Sequence, residues 1–430
     1  MALSTKPYRG ARDFYPEDKR LQKYIFSVWS NSVERFGYEE YDAPILEPLD
    51  IYLAKSGQEI VSEQTYVFKD RGDRMVVIRP EMTPTVSRMV ANKRQELTYP
   101  VRWYSIPNLW RYERPQRGRL REHWQLNVDI FGVQSVSAEL EIINLVDTIF
   151  KNFGASESMY EIKLNNRQLT NLILNNYLKL DEEKSLAVIK LIDRIEKMER
   201  SQFLTSLDEI LSDKDRQNGV NQKLMAILDT EKLSDLPSEL KKDQAYTDIA
   251  TLIESLDNSG LKHVKYSPNI MRGFDYYTGI VFEVFDTNPE NNRSMMGGGR
   301  YDGLVGLFGV EPVPTVGFGW GDVTLENFLV SHDLLPKLDP ETKVYVVLAG
   351  DVNKEAQSLL KSLRDSGVNV MVDLGGKKLG DQLKAADKRG IKLALIIGEE
   401  EIKSGEFTLR NLESRKELKL NQEDLLKHLK

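Results

Sequence analysis

Between residues 17 and 36 apolar side chains recur every three or four positions (Leu21, Tyr24, Ile25, Val28, Trp29, Val33), and Gly37 follows. That spacing lines one face of an α-helix, and the glycine is a stop signal. The period then shortens. Residues 65–68 and 75–78 are β-type runs around Arg71-Gly72-Asp73, which predicts a hairpin. Residues 101–104, 109–113 and 125–131 read as further strands, the last two flanking a polar loop, before 138–150 returns to helical spacing. From about 160 to 258 the pattern is mostly helical and strongly charged, without a chemistry-bearing motif, so much of it (about 170–258) reads as a helical insertion. A strand at 280–285 and a glycine-rich strand running into a helix over 317–330 close this portion.

A linker rich in proline and charge, 335–341, precedes a change of pattern. Apolar β-type runs at 344–348, 368–372 and 393–397 alternate with helical segments at 354–364 and 379–389. Such alternation predicts a small parallel or mixed sheet with helices against it. The expected architecture is an α+β domain with a mainly antiparallel sheet over 1–335, carrying the insertion, and a C-terminal α/β domain over 341–430. A length of 430 residues suits two or three cores.

Composition removes several chemistries. With no cysteine in the chain, disulfides, thiolate nucleophiles and cysteine-bound zinc are excluded together. The four histidines (His123, His263, His332, His428) are too scattered in sequence for a histidine-rich metal cage, so no protein-held metal is expected. No apolar run is long enough to span a bilayer and residues 1–8 lack a secretory pattern, which together point to a cytoplasmic protein with no membrane role. The net charge of −7 argues against sequence-blind coating of nucleic acid and leaves room for a local basic surface.

The densest such surface is Arg111-Tyr-Glu-Arg-Pro-Gln-Arg-Gly-Arg-Leu-Arg121, five arginines and one glutamate in eleven residues. Guanidinium groups grip phosphate oxygens in pairs and stay charged at any relevant pH, so the segment suits ATP, an RNA end, or both; the plainer reading is a solvated basic loop. On a strand, Arg111 and Glu113 face the same side, one cation and one acceptor, as a phosphate plus an exocyclic amine requires. Met271-Arg-Gly-Phe-Asp-Tyr-Tyr-Thr-Gly279 joins a cation to phenols, and Gly297-Gly-Gly-Arg-Tyr-Asp-Gly303 has glycines that permit close backbone approach or positive φ. Either is also compatible with a turn between strands. Arg79-Pro-Glu-Met-Thr-Pro84 is a polar knot after a β-type run. No phosphate loop of the G-x-x-x-x-G-K-[ST] kind, dinucleotide fingerprint or G-x-S-x-G elbow is present.

Taken in this order, these segments resemble class II aminoacyl-tRNA synthetases, and within them the histidyl-tRNA synthetase family, over nearly the whole chain. Phe36-Gly-Tyr-Glu-Glu-Tyr-Asp-Ala-Pro44 resembles motif 1, Arg111–Arg121 with 125–132 resembles motif 2, and the two tyrosine-bearing clusters resemble the histidine-specific motifs. Gly375-Gly-Lys-Lys-Leu-Gly380 and Ala385-Ala-Asp-Lys-Arg-Gly390 resemble the family's anticodon-binding domain. The resemblance implies ATP-dependent activation of L-histidine and its transfer to histidine tRNA, and a homodimer joined at motif 1; Mg²⁺ is expected with ATP because its phosphates need neutralising. It assigns catalysis to Arg272 and Arg111, and ATP contacts to Arg111, Glu113, Arg119, Arg121 and His123. Histidine would meet Glu81, Met82, Thr83, Gln125, Asp129, Tyr276, Tyr277 and Tyr301, with Asp129 and Tyr277 on the imidazole, and Arg114 and Gln116 would read the extra guanine of the tRNA.

Three positions depart from the family pattern. Asp129 stands where bacterial relatives more often have glutamate, and His123 replaces a common phenylalanine. Gly317-Phe-Gly-Trp-Gly-Asp-Val-Thr-Leu325 resembles motif 3, yet Thr324 occupies the place of an arginine that helps clamp ATP. That loss is what an alternative would predict: a catalytically inactive regulatory subunit of an ATP phosphoribosyltransferase, which shares the catalytic fold but generally lacks the C-terminal domain.

Overall fold

The computed structural model describes residues 3–53, 64–195, 198–271, 276–291 and 293–429. Two compact units emerge, one of Met1–Asp13 and Gln22–Leu335, the other of Phe14–Leu21 and Pro336–Lys430.

In the first unit the strands are β1 (Glu39–Glu40), β2 (Leu46–Pro48), β3 (Tyr66–Lys69), β4 (Met75–Ile78), β5 (Val101–Ser105), β6 (Asn108–Trp110) and β7 (Glu122–Phe131). They continue with β8 (Tyr160–Asn166), β9 (Val264–Tyr266), β10 (Ile280–Asp286), β11 (Ser294–Arg300) and β12 (Thr315–Gly321). Nine of these form one sheet in the order β1-β5-β7-β12-β11-β10-β8-β9, with β6 joined to β7; the remaining three form a small sheet, β2-β4-β3. Pairing in the large sheet is antiparallel except at its two ends, where β1 meets β5 and β9 meets β8 in parallel.

One face of the large sheet is covered. Phe150, on the helix Ser137–Asn152, lies 4.5 Å ring to ring from Trp320 of β12 and stacks at 4.0 Å on Tyr160 of β8. All three are buried, as are Leu126, Val128 and Ile130, which share that face of β7 by alternation. The predicted hairpin at 65–78 forms as β3 and β4, with Asp73 at φ +57° in its turn. The chain from 160 to 166 differs from the helical expectation: it is β8, and Asn166 then caps the next helix by accepting from Gln168 N. Helices dominate from there to Asn258.

The second unit has β13 (Val344–Ala349), β14 (Val370–Val372), β15 (Leu393–Gly398), β16 (Glu406–Asn411) and β17 (Glu417–Asn421) in one sheet, ordered β14-β13-β15-β16-β17. The first three are mutually parallel and the last two antiparallel, so the sheet is mixed. Helices Asn353–Asp365 and Leu379–Lys388 connect the parallel strands, within a residue of the predicted limits.

Candidate active site

The opposite face of the large sheet carries the candidate site residues. Along β7 every second residue is polar (Gln125, Asn127, Asp129), which puts all three on one face. Opposite them on β12 stand Gly321, Gly319 and Gly317, and the next strand continues the row with Gly297 and Gly299. Three of these glycines are there for room. A Cβ at Gly317 would run into the Asp129 carboxylate, and one at Gly319 into the Gln125 amide. At Gly299 a Cβ would lie 2.6 Å from Ile280 O and 3.0 Å from the Tyr277 ring. Gly317, Gly319 and Gly299 lack a positive φ, so close approach, not backbone freedom, is their reason.

Asp129 is 4% exposed, and burial pushes its carboxyl up to about 7 even though the Tyr301 hydroxyl donates to it. The same burial, then the Asp129 charge, holds the Tyr301 phenol well above its ordinary range. Tyr276, Tyr277 and Tyr301 form a ring cluster, with centroids 4.8 to 6.5 Å apart. The Tyr276 hydroxyl donates to Glu81 Oε2 at 3.4 Å, and Tyr52 donates to the Glu81 carbonyl at 3.2 Å. Glu81 is thus buried beside the tyrosines at the start of the helix Thr83–Lys93. Met82 points elsewhere, into an apolar core with Tyr41, Val86 and Val90, so only its backbone is left to serve a ligand.

The arginine-rich segment is a hairpin loop between β6 and β7. Arg111 N donates to Arg121 O at its base (2.8 Å), and Gln116 and Arg119 bridge its tip. Arg111 and Glu113 do not lie on a strand as expected: β6 stops at Trp110, because Tyr112 N turns to Gln64 O and Glu113 N bonds back to Arg111 O. Arg111 Nε donates to the Pro80 carbonyl (2.9 Å), which ties the hairpin to the polar knot. Glu113 pairs with Arg119 at 3.3 Å, and Gln116 accepts from Arg293 at 3.1 Å. Arg114 is exposed on the same loop. His123 follows on β7, where burial, and secondarily the Arg111 charge, lower its pKa to about 3 and keep the ring neutral.

Thr324 sits in the first turn of the helix Asp322–Ser331, its hydroxyl donating to Met295 O (2.7 Å). Its methyl is the nearest group to a Cβ built at Gly118 of the hairpin, at 3.7 Å. The position therefore faces the arginine loop. Arg272 lies outside the described residues.

Two features escaped the sequence reading. Asn127 is 4% exposed and accepts from Gln125 Nε2 (2.8 Å), fixing the amide that faces the pocket; the alternation Gln125-x-Asn127-x-Asp129 was the available signal. Arg300 of the glycine-rich motif is structural, since its guanidinium grips Glu139 with two bonds of 2.7 Å. Away from the pocket, Asp147, Glu157 and His263 converge with ligand atoms within 4.8 Å. Lys151 already bonds to both carboxylates there (2.9 and 3.2 Å) and supplies the counter-charge.

Comparison with known proteins decides the family. Residues 10–321 match the model of histidyl-tRNA synthetases, and 343–430 match an anticodon binding domain. The chain belongs to the histidyl-tRNA synthetase family. A histidine–tRNA ligase of Leptospira biflexa is 44% identical over 431 residues, all of this chain and 98% of that one. One from Thermoplasma volcanium is 39% identical over 407 residues, 94% of this chain and 93% of its own. The fold is also that of a solved histidyl-tRNA synthetase from Nostoc sp. PCC 7120, at 24% identity and a TM-score of 0.83 over all of this chain and 99% of that one. Among synthetases of this family the chain has the class II α+β arrangement followed by the C-terminal α/β domain.

Proposed function

We propose that the pocket over the glycine row binds L-histidine and that the chain is a histidine–tRNA ligase: it joins histidine to AMP at the expense of ATP, then passes the histidyl group to its tRNA. The observation that carries this is the buried Asp129–Tyr301 pair on a floor cleared of side chains, beside the arginine hairpin. A site built to pair both imidazole nitrogens rejects isosteres that leave its buried groups unpaired. In this reading Asp129 and Tyr277 take the ring. Glu81 and Thr83 receive the α-amino group, and Gln125, Tyr276 and Tyr301 complete the pocket.

A histidine carboxylate oxygen attacks the α-phosphorus while the bond to the β-phosphate oxygen breaks and pyrophosphate leaves; a ribose hydroxyl of the tRNA then displaces AMP from the acyl carbon. Arg111 and Arg272 hold the α-phosphate, whose transition-state charge needs fixed cations and no proton transfer. Glu113 accepts from the adenine amine, neutral His123 stacks near the base, and Arg119 and Arg121 take the outer phosphates with Mg²⁺. Arg114 and Gln116 face the tRNA 5′ end, and residues 341–430 take the anticodon. With Thr324 lacking a guanidinium, the outer phosphates depend on the hairpin arginines.

Histidine-dependent exchange of pyrophosphate into ATP tests the assignment, and no exchange would favour the regulatory-subunit reading, for which Thr324 is the specific support. A homodimer and a cytoplasmic location go with the ligase reading. For the dimer, β1 offers an exposed edge, and Ile45, Leu46, Phe68 and Met75 lie exposed near it in sequence or on the small sheet. Light scattering should give a dimer; a 49.4 kDa particle at micromolar concentration would remove it. Among the described residues no helix is long and apolar enough to cross a membrane.

A further inference from the structure

The segment before the first helix crosses the arginine hairpin. The Gly10 carbonyl accepts from Arg121 N (2.9 Å) and Glu122 N (3.2 Å), where the hairpin's returning arm enters β7. Gly10 has φ +88°, and a Cβ there would lie 2.8 Å from Arg121 Cγ and 3.0 Å from the Pro115 ring, so only glycine lets the segments meet this closely. Two residues earlier, the Tyr8 hydroxyl accepts from Arg121 Nη1 at 2.8 Å. The Arg121 guanidinium lies 4.0 Å from the Tyr112 ring centroid and 5.4 Å from that of Tyr8, while its Nε donates to Glu113 O at 3.1 Å. Tyr66 supports both rings edge-on and donates to the Tyr8 hydroxyl at 3.4 Å. Two residues beyond Gly10, Arg12 Nη2 bonds to Asp322 at 2.6 Å, and the other oxygen of Asp322 accepts from Trp124 N. The segment is therefore fastened on both sides of Gly10.

We propose that Tyr8 is a positioning residue for nucleotide binding, holding the Arg121 guanidinium ready for the outer phosphates of ATP. The inference rests on the ligase reading for the role of Arg121. A flexible arginine loses rotamer freedom when it grips a phosphate, whereas one already stacked and hydrogen-bonded has lost most of it beforehand. The bonds to Tyr8 and Glu113 engage Nε and Nη1, and a guanidinium has five N–H donors, so it keeps others for phosphate oxygens. Positioning of this kind has most weight in a chain with threonine at 324, because fewer arginines share the load.

Tyr8→Phe removes the hydroxyl and keeps the ring. ATP affinity of the full-length variant, measured by titration calorimetry, should fall about threefold to tenfold, the cost of immobilising one arginine side chain on binding. In the exchange assay KM for ATP should rise while KM for histidine stays unchanged. With Arg121→Ala already present, Tyr8→Phe should add nothing, because the two act as a unit. Equal ATP affinity of wild type and Tyr8→Phe, or additive losses in the double variant, overturns the proposal. A wild-type chain that binds ATP but performs no histidine-dependent exchange defeats the ligase reading instead, and the calorimetry still decides the role of Tyr8.

Discussion

The two sheets use their faces differently. In the second unit, successive residues of β13 enter opposite cores: Val344 and Val346 join one with Leu395 and Ile397, Tyr345 and Val347 the other with Ala394. Both faces are apolar and packed, as parallel strands require, which leaves the loops and edges for recognition. In the first unit one face, Trp320 included, packs under Phe150 of the helix, while the other keeps Gln125, Asn127 and Asp129 beside a row of glycines. A sheet packed on both faces is made for stability. A sheet stripped on one face gives up apolar contacts and buries a carboxylate where the proposed histidine site lies.

The sharpest way to break this comparison is to separate the units. A chain ending at Leu335 should still perform histidine-dependent exchange and lose tRNA charging; equal charging by both forms would refute the division of labour. Asp129→Ala comes next, with KM for histidine expected to rise at least about a hundredfold in exchange kinetics, since a site with buried polar groups left unpaired rejects its ligand strongly. Unchanged kinetics would move the pocket elsewhere.

Asp129 also has a pH signature. Its folded pKa of about 7 lies above the ordinary 3.8, so the folded protein binds this proton more tightly than the unfolded chain does. That contribution to stability is complete below about pH 4 and is lost as pH rises through 7, an upper bound of about 4 kcal/mol. Asp129→Asn should accordingly raise the melting temperature at pH 8 and hardly change it at pH 4. The same gain at both pH values would show that the carboxyl does not titrate as its burial requires.

The smallest expected effects separate two glycines on opposite faces of the sheet. A Cβ at Gly298 would collide with the Gly317 carbonyl, which cannot yield, so Gly298→Ala should cost about 3 kcal/mol in denaturant melts. A Cβ at Gly319 meets only the ends of the Gln125 and Asn127 side chains. Gly319→Ala should stay within about 1 kcal/mol of wild type yet impair histidine binding. Equal destabilisation by both would mean the Gln125 face is as rigid as the packed one.

Much of this was legible in sequence because each element obeys its own period. The helices and β13–β15 show it plainly, and the motif clusters carry the proposed site residues. The misses have local causes. Residues 160–166 alternate buried Tyr160, Ile162 and Leu164 with Glu161 and Lys163, and that short period was hidden inside a charged, helical stretch. β16 and β17 are charged and partly exposed, with little apolar run to betray them. Arg111 and Glu113 looked like strand residues because nothing in the chain announces that Tyr112 N pairs with Gln64, far away in sequence. The triple glycine of β11 could be read as a turn because the reason for Gly298 and Gly299, crowding by β10 and β12, exists only after the sheet has formed.

The soft surroundings of Gly319 have a consequence for anyone sorting variants of this chain. A library screened for soluble, protease-resistant protein would accept alanine at 319, while one screened for growth on its activity would discard it. At Gly298 both screens would discard alanine alike. The positions where the two screens disagree would trace the outline of the pocket, with no ligand bound and no complex solved.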